Sequence, residues 1–312
     1  MAHAKLSSLL PWLIAARPMA HAMIALPLLW GQALALVAIA SFDWFWFTYC
    51  LMFGVLCQAY CLYLNDYADE QLDRSNQEYW LSGGSRVIPE GLLTGDKLYQ
   101  AAIGLAVALI ILSVTALTAG RPWSPLLVMM ALVLGWTYSL TPGRASYRGY
   151  GEVHQAVSCG ILLPVIGFYA QTGSLAGFPW AGLLPLFLVF FSSNIITALP
   201  DVRSDSEGGK HSYPVRYGLK RAARHALVLL LAANLTVLLT NLLWSSDLLM
   251  TGMLVIPSLV LMVCAMSPLA AVQAGPEGRP AVRQFMMLTI SSQAWLMTAW
   301  TILLFLRGLP LV

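Results

Sequence analysis

Charge is what this sequence has least of: Asp, Glu, Lys and Arg make up 10% of its 312 residues, against roughly 25% in an average soluble domain. That shortage, together with 59% hydrophobic residues and a mean hydropathy of +0.72, excludes a water-soluble globular chain. Histidine and cysteine are also scarce, at five residues each. Cys50, Cys57, Cys61, Cys159 and Cys264 lie inside apolar runs without paired ligand spacing, which excludes a disulfide framework or a cysteine zinc site and leaves packing as their role. The net charge is only +3. Neither a nucleic acid nor an obligate protein partner is expected.

Long apolar runs are what is there. A hydrocarbon core of about 30 Å is crossed by about 20 apolar residues in a helix, and such segments recur at about 22–41, 44–64, 98–119, 123–140, 153–172, 181–200, 225–243, 247–269 and 284–306. The expectation is an all-α polytopic membrane protein of nine transmembrane helices, with residues 1–312 forming one membrane domain. The stretch L-S-S-L-L-P-W-L-I-A-A, between Lys5 and Arg17, has no small-residue cleavage site before the first span, so it reads as a short interfacial helix. With the N-terminus taken as cytoplasmic, all of the 17 lysines and arginines except Arg121 and Arg307 fall on the cytoplasmic side. Positive residues mark cytoplasmic loops, which puts the C-terminus outside; the expected location is a prokaryotic cytoplasmic membrane. Trp44, Trp46, Trp123, Trp180 and Trp244 lie near the span ends and read as an interfacial belt.

Acidic residues follow the same side, with only Asp43 and Asp247 of the 14 on the outer face. Carboxylates contribute little to topology, so this bias calls for a chemical reason. It resides in two clusters. In L-N-D-Y-A-D-E-Q-L-D, Asn65, Asp69 and Asp73 follow at intervals of four, and Asp66 joins them on one face if the second span continues as a helix. In D-V-R-S-D-S-E-G-G-K, Asp201 and Asp205 are again four apart, at the end of the sixth span. Like charges at that spacing repel, so cations should compensate them. Oxygen ligands with open coordination positions suit Mg²⁺, which completes its shell with water and phosphate oxygens. Arg74, Arg86, Arg144, Arg148, Arg203 and Lys210 lie in the adjacent loops, where they can hold a polyphosphate. Two acidic walls, two metal ions and a basic rim describe a diphosphate site, and the membrane implies that the rest of the substrate is a lipid chain.

These residues resemble the UbiA superfamily of intramembrane prenyltransferases. The resemblance rests on N-D-x-x-D-x-x-x-D at Asn65, Asp66, Asp69 and Asp73, and on D-x-x-x-D at Asp201 and Asp205. It is extended by G-G-S-R-V-I-P-E-G (83–91), T-Y-S-L-T-P-G-R (137–144) followed by R-G-Y-G-E (148–152), and G-K-H-S-Y-P-V-R-Y-G (209–218). The resemblance implies a helical bundle around a central cavity open to lipid, capped by the cytoplasmic loops after the second and sixth spans. Two Mg²⁺ ions would be held by Asn65, Asp66, Asp69 and Asp73 on one side and by Asp201 and Asp205 on the other. Lys210, Arg86, Arg144, Arg148 and Asn65 would contact the diphosphate or the acceptor, and Asp69, Asp205 and Tyr138 would act in catalysis. The partners it implies are a prenyl diphosphate and an aromatic acceptor, in the service of quinone or related biosynthesis. The G-G-S-R-V loop and the R-G-Y-G-E segment are closer to the menaquinone-type branch, which prenylates a naphthoate, than to the 4-hydroxybenzoate branch.

Other readings remain open. Tyr138 and Tyr67 can each offer a ring face to an allylic cation, or simply anchor the protein at the interface. His154 can act on an acceptor hydroxyl or serve as a polar helix-start residue, and His211 can touch diphosphate or lie solvated in its loop. Lys220, Arg221 and Arg224 serve orientation and anionic-lipid contact. A membrane terpene cyclase of the same superfamily needs no acceptor. A transporter for an anionic lipid or ion would carry charge at mid-membrane depth, whereas here the clusters sit at span ends.

Overall fold

A computed structural model of the chain describes residues 2–75, 84–245 and 248–309, without side-chain placement for residues 2–8, 75, 244 and 245. The expectations for Gly83 and Asp247, and for the side chains of Lys5 and Trp244, lie outside this description. The described residues form helices and connecting turns, with no strand among them. An initial helix, α1 (Ala2–Ala15), is followed by a turn of 3₁₀ helix (Pro18–His21) and then α2 (Ala22–Ile39), α3 (Trp44–Ala68) and the short α4 (Glu70–Ser75). After the first long loop come α5 (Gly95–Thr118), α6 (Ser124–Ser139), α7 (Ala145–Arg148), α8 (Gly151–Val157) and α9 (Leu163–Thr172); a π-helical turn at Ser158–Leu162 joins the last two into one rod. Next are α10 (Leu183–Ala198), α11 (Val202–Glu207) and α12 (Tyr213–Tyr217), and the chain finishes with α13 (Leu219–Ser245), α14 (Leu248–Leu269) and α15 (Arg279–Gly308).

Eight helical segments among the described residues are long and apolar enough to cross a membrane. The remaining expected span, 123–140, is α6. Its 16 residues rise about 24 Å at 1.5 Å per residue, short of the roughly 30 Å core, because the chain turns away at Leu140 into an extended conformation.

Hydrophobicity alone does not orient helices that are apolar all round; small and polar residues do. α2 and α9 meet backbone to backbone at Gly31, which faces the Pro164 carbonyl, and at Gly167, which faces the Leu28 carbonyl, leaving no space for a Cβ at either. The Ser258 and Ser292 hydroxyls join α14 to α15 at 2.8 Å, and Gln293 reaches Ser192 on α10 at 3.1 Å. At the end remote from the acidic clusters, Asp43 caps α3 by accepting from the Phe45 N–H at 2.8 Å. There Arg121 donates to the carbonyls of Ala170 and Gln171 while lying over Trp46. The rod α8–α9 is buried along two thirds of its span and forms the inside of the bundle, whereas α5, α13 and α14 turn most of their surface outward. Cys50, Cys57 and Cys159 are buried free thiols packed in the core.

The α2–α9 seam gives the fold its first test. Gly167→Leu forces the two backbones apart, and overpacking of this kind costs about 1–3 kcal/mol. The expected outcome is a lower unfolding temperature in detergent than for the same substitution at Gly104, around which there is open space.

Candidate functional site

The two acidic clusters meet at one end of the bundle. α3 stops at Ala68, and Asp69 takes an irregular conformation (φ −94°, ψ 6°) before α4 begins. The uninterrupted helix expected through Asp73 is therefore broken. Backbone bonding nevertheless carries through: the Asp69 N–H donates to the Asn65 carbonyl at 2.9 Å and the Asp73 N–H to the Asp69 carbonyl at 2.8 Å. Asp66, Asp69 and Asp73 stay inward, only 2%, 6% and 6% exposed. Asn65 is half-buried, and its Nδ2 donates to Asp69 Oδ2 at 3.1 Å. Gly84, with φ 74°, sits directly against the Asp73 carboxylate, where any side chain would collide with it. In the second cluster Asp201 is half-buried just before α11, and Asp205 is buried in the first turn of that helix. Asp205 Oδ2 accepts from the Ser212 hydroxyl at 2.7 Å.

One side chain joins the two clusters. The Lys210 N–H donates to the Asp205 carbonyl at 2.7 Å, and its Nζ reaches across to Asp69 Oδ2 at 2.6 Å. On the other oxygen of Asp69, the Tyr147 hydroxyl donates at 2.9 Å. The Tyr147 ring carries the Arg144 guanidinium 4.0 Å and the Lys210 ammonium 5.1 Å from its centroid. Asp66 is held by Arg17 and by the Ser85 hydroxyl. The three loops that supply these residues also lock to one another: Gly208 lies against Leu72, the His211 N–H donates to the Tyr147 carbonyl at 3.0 Å, and Arg216 donates to the Gly149 carbonyl at 2.6 Å. Buried Glu152 accepts from the Tyr213 N–H at 2.6 Å and ties α8 to the same structure.

Tyr138 lies within the electrostatic reach of Lys210, Glu152, Asp69 and Asp205. Its ring is tilted against His154 at 5.8 Å, and His154 Nε2 shares a 3.0 Å hydrogen bond with the Thr137 hydroxyl. Tyr67 packs on Tyr99 with ring centroids 4.9 Å apart. Arg86 pairs with Glu90 at 3.1 Å, Arg148 is exposed on α7, and Arg74 and Arg203 form surface pairs with Glu70 and Glu207 four residues away. His211 is exposed. Sequence reasoning did not single out Arg17, Ser85, Tyr147, Ser212 or Glu152 as partners of this site. Ser85, Ser212 and Glu152 stand inside motifs already noted and Tyr147 between two of them, whereas no signal pointed to Arg17 beyond its charge.

Comparison with known proteins bears on this arrangement. The sequence profile described as the UbiA prenyltransferase family matches residues 24–288. Among curated proteins, the 2-carboxy-1,4-naphthoquinone phytyltransferase of Synechocystis sp. is 26% identical over 217 residues, covering 67% of this chain and 66% of that protein, just under two thirds of its length. The 1,4-dihydroxy-2-naphthoate octaprenyltransferase of Mycobacterium leprae is 25% identical over 286 residues, covering 89% of this chain and 92% of the relative. Among solved structures, a UbiA homolog from Archaeoglobus fulgidus bound to DMAPP and Mg²⁺ superposes with a TM-score of 0.67 at 15% identity, covering 93% of this chain and 99% of that one. That likeness shows the fold.

Burial, more than neighbouring charge, dominates the electrostatics of the site. Burial, reinforced by Asp69 and Asp66, pushes the Asp73 carboxyl up to about 7 against the pull of Lys210 and Arg17. Burial also pushes Asp205 up to about 7, although Lys210 and the Ser212 hydrogen bond favour its charged form. For Lys210, burial opposes the charge, but Asp69 and Asp205 outweigh it and the net shift is upward. Tyr147 is pushed up to about 12 by burial and by Asp69. A cluster of carboxylate and amide oxygens fits a hard divalent cation such as Mg²⁺. Among the described residues the acidic groups are not drawn together as a closed cage of three or more; Lys210 and Arg17 rest on their oxygens instead.

The Asp205 shift has a definite sign. Its carboxyl binds a proton more tightly in the folded protein than its ordinary value of 3.8 allows, so its charge removes stability as pH rises from about 4 through about 7. In metal-free protein, Asp205→Asn is expected to be more stable than wild type at pH 8, by up to about 4 kcal/mol at 1.36 kcal/mol per unit. The difference should shrink as pH falls from about 7 and vanish only below about pH 4. Thermal unfolding in chelator reads both, and a difference independent of pH would refute the assignment.

Proposed function

The chain belongs to the UbiA prenyltransferase family, and from that membership we propose that it transfers a prenyl group from a prenyl diphosphate to an aromatic acceptor within the membrane. One observation carries the reading: Lys210, rooted beside Asp205, ends on Asp69, 141 residues away in the chain. Two acidic clusters thus share one polar centre at the end of an apolar bundle. The acceptor we favour is a naphthoate of quinone biosynthesis, supported by the naphthoquinone and naphthoate transferases among the relatives.

In this reading Asn65, Asp66, Asp69 and Asp73 would hold one Mg²⁺ ion, and Asp201 and Asp205 a second. When bound, the metal supplies charge neutralisation that makes diphosphate a better leaving group. Lys210 turns from Asp69 to the diphosphate and stabilises the charge that grows as the allylic C–O bond breaks. Arg144, held over Tyr147, with Arg86 and Arg148 further out, completes the basic rim. Tyr138 offers its ring face to the allylic cation. The aromatic acceptor then gives an electron pair from a ring carbon to form the new C–C bond and loses a proton from that carbon. The interlocked loops act as the cap that excludes water from the cation.

We also place α6 as a ninth crossing in a single domain spanning 1–312, around a central cavity. The N-terminus and the site lie on the cytoplasmic side of a prokaryotic membrane and the C-terminus outside. Support comes from the clustering of basic residues on the site's side of the sequence and from the bacterial relatives.

The test is a product assay on purified protein with Mg²⁺ and geranylgeranyl diphosphate, with and without a panel of aromatic acceptors, read by mass spectrometry. A prenylated naphthoate is the expected product. A cyclised hydrocarbon formed without acceptor would establish a cyclase, and no Mg²⁺-dependent diphosphate release at any chain length would favour a transporter. Asp69→Ala and Asp205→Ala should each lower turnover at least about a hundredfold while the protein stays folded in detergent. Full activity in either variant would defeat the two-cluster mechanism.

A further inference from the structure

Arg17 stands where α1 gives way to the 3₁₀ turn that leads into α2, and its backbone is left-handed, with φ 43° and ψ 73°. A non-glycine residue persists there only when its surroundings over-determine it, and here they do. The Arg17 N–H donates to the Ile14 carbonyl at 3.1 Å, its own carbonyl accepts from the Ala20 N–H at 2.8 Å, and the His21 ring bonds the Ala16 carbonyl at 3.1 Å. α1 in turn is docked on α3: the Tyr63 hydroxyl donates to the Trp12 carbonyl at 3.1 Å and the two rings pack at 5.8 Å. Leu9, Leu10 and Leu13 face outward from the same helix.

This scaffold delivers the Arg17 guanidinium to Asp66, whose other oxygen is taken by Ser85. Asp66 is the most buried carboxylate of the site, and a buried carboxylate left unpaired is strongly destabilising. The Arg17 side chain is 27% exposed, and its Nε is buried without a hydrogen-bond partner among the described residues. The guanidinium is therefore committed to Asp66 through one edge while part of its planar fork, the geometry that suits phosphate oxygens, is unused.

We propose that Arg17 is a resident counter-ion of the first acidic cluster: it occupies Asp66 in the metal-free protein, competes there with the divalent cation, and on displacement turns to the diphosphate of the donor. The proposal rests on the prenyl-diphosphate reading of the site. Its consequence is a pair of effects of opposite sign. Removing Arg17 relieves the competition and tightens metal binding, and it also removes a donor from the anion and weakens diphosphate binding. A residue that only props up the fold would weaken both.

The experiment uses the full chain in detergent. Mn²⁺ binding is titrated by the loss of free-ion electron-paramagnetic-resonance signal, and inorganic diphosphate binding is measured by calorimetry at saturating Mg²⁺. Arg17→Gln is expected to bind Mn²⁺ about three- to tenfold more tightly than wild type and diphosphate about tenfold more weakly, shifts of the size of one lost charged contact. Arg17→Lys keeps the charge but not the fork, so Mn²⁺ affinity should stay near wild type while diphosphate affinity falls. This variant decides the matter if Arg17→Gln does not fold. If wild type binds both ligands but the substitutions weaken both or change neither, the proposal is overturned alone. If wild type shows no metal-dependent diphosphate binding, the functional reading falls and this proposal with it.

Discussion

An ionised carboxylate beside hydrocarbon is stable only if a cation or a dense set of hydrogen bonds meets it, and that constraint organises this molecule. Asp69 is the centre of the solution. Lys210 and Tyr147 converge on its two oxygens from different loops, and Asn65 adds an amide. The partners are far apart in sequence, so the loops that bear them must be pinned to one another, which the Leu72–Gly208, Tyr147–His211 and Gly149–Arg216 contacts accomplish. The compactness of the polar end is thus a consequence of its charge.

The compensation is incomplete. Burial pushes Asp73 and Asp205 up to about 7, because their partners do not fully offset the loss of water around them. An assembly that balanced its carboxylates fully would have little attraction for a divalent cation. One that left them uncovered would sacrifice stability. Movable side-chain cations lie between these limits, because Lys210 and Arg17 sit on long stems and can be exchanged for another positive partner without refolding the helices that carry the aspartates.

Much of this was legible in the sequence, and the reasons for the remainder are physical. The spans were readable because hydrocarbon demands long apolar runs, and the two clusters because fourfold spacing survives in any helical chain. Even the break at Asp69 left the register of Asp66, Asp69 and Asp73 intact. Contacts across the chain carry no such period. Nothing local in Arg17, 49 residues before Asp66, or in Tyr147, 78 residues after Asp69, announces a partner. Basic residues named for their nearness in sequence met different fates: Lys210 entered the centre, while Arg74 and Arg203 paired with glutamates on their own helices. Proximity along a loop says little about direction in space.

The shortness of α6 reaches beyond the protein. The outward residues Leu126, Met129, Met130 and Val133 form an apolar strip on this helix, with exposed Trp123 at one end and, past Ser139, the loop carrying Arg144 and Tyr147 at the other. As the ninth crossing proposed above, α6 would oblige a bilayer whose core exceeds that strip to thin beside it or press on its ends, at a cost of fractions of a kcal/mol per Å of mismatch. One end of the strip leads into the segment that carries Tyr147, whose hydroxyl donates to Asp69, so in that placement bilayer thickness would be felt beside the polar centre.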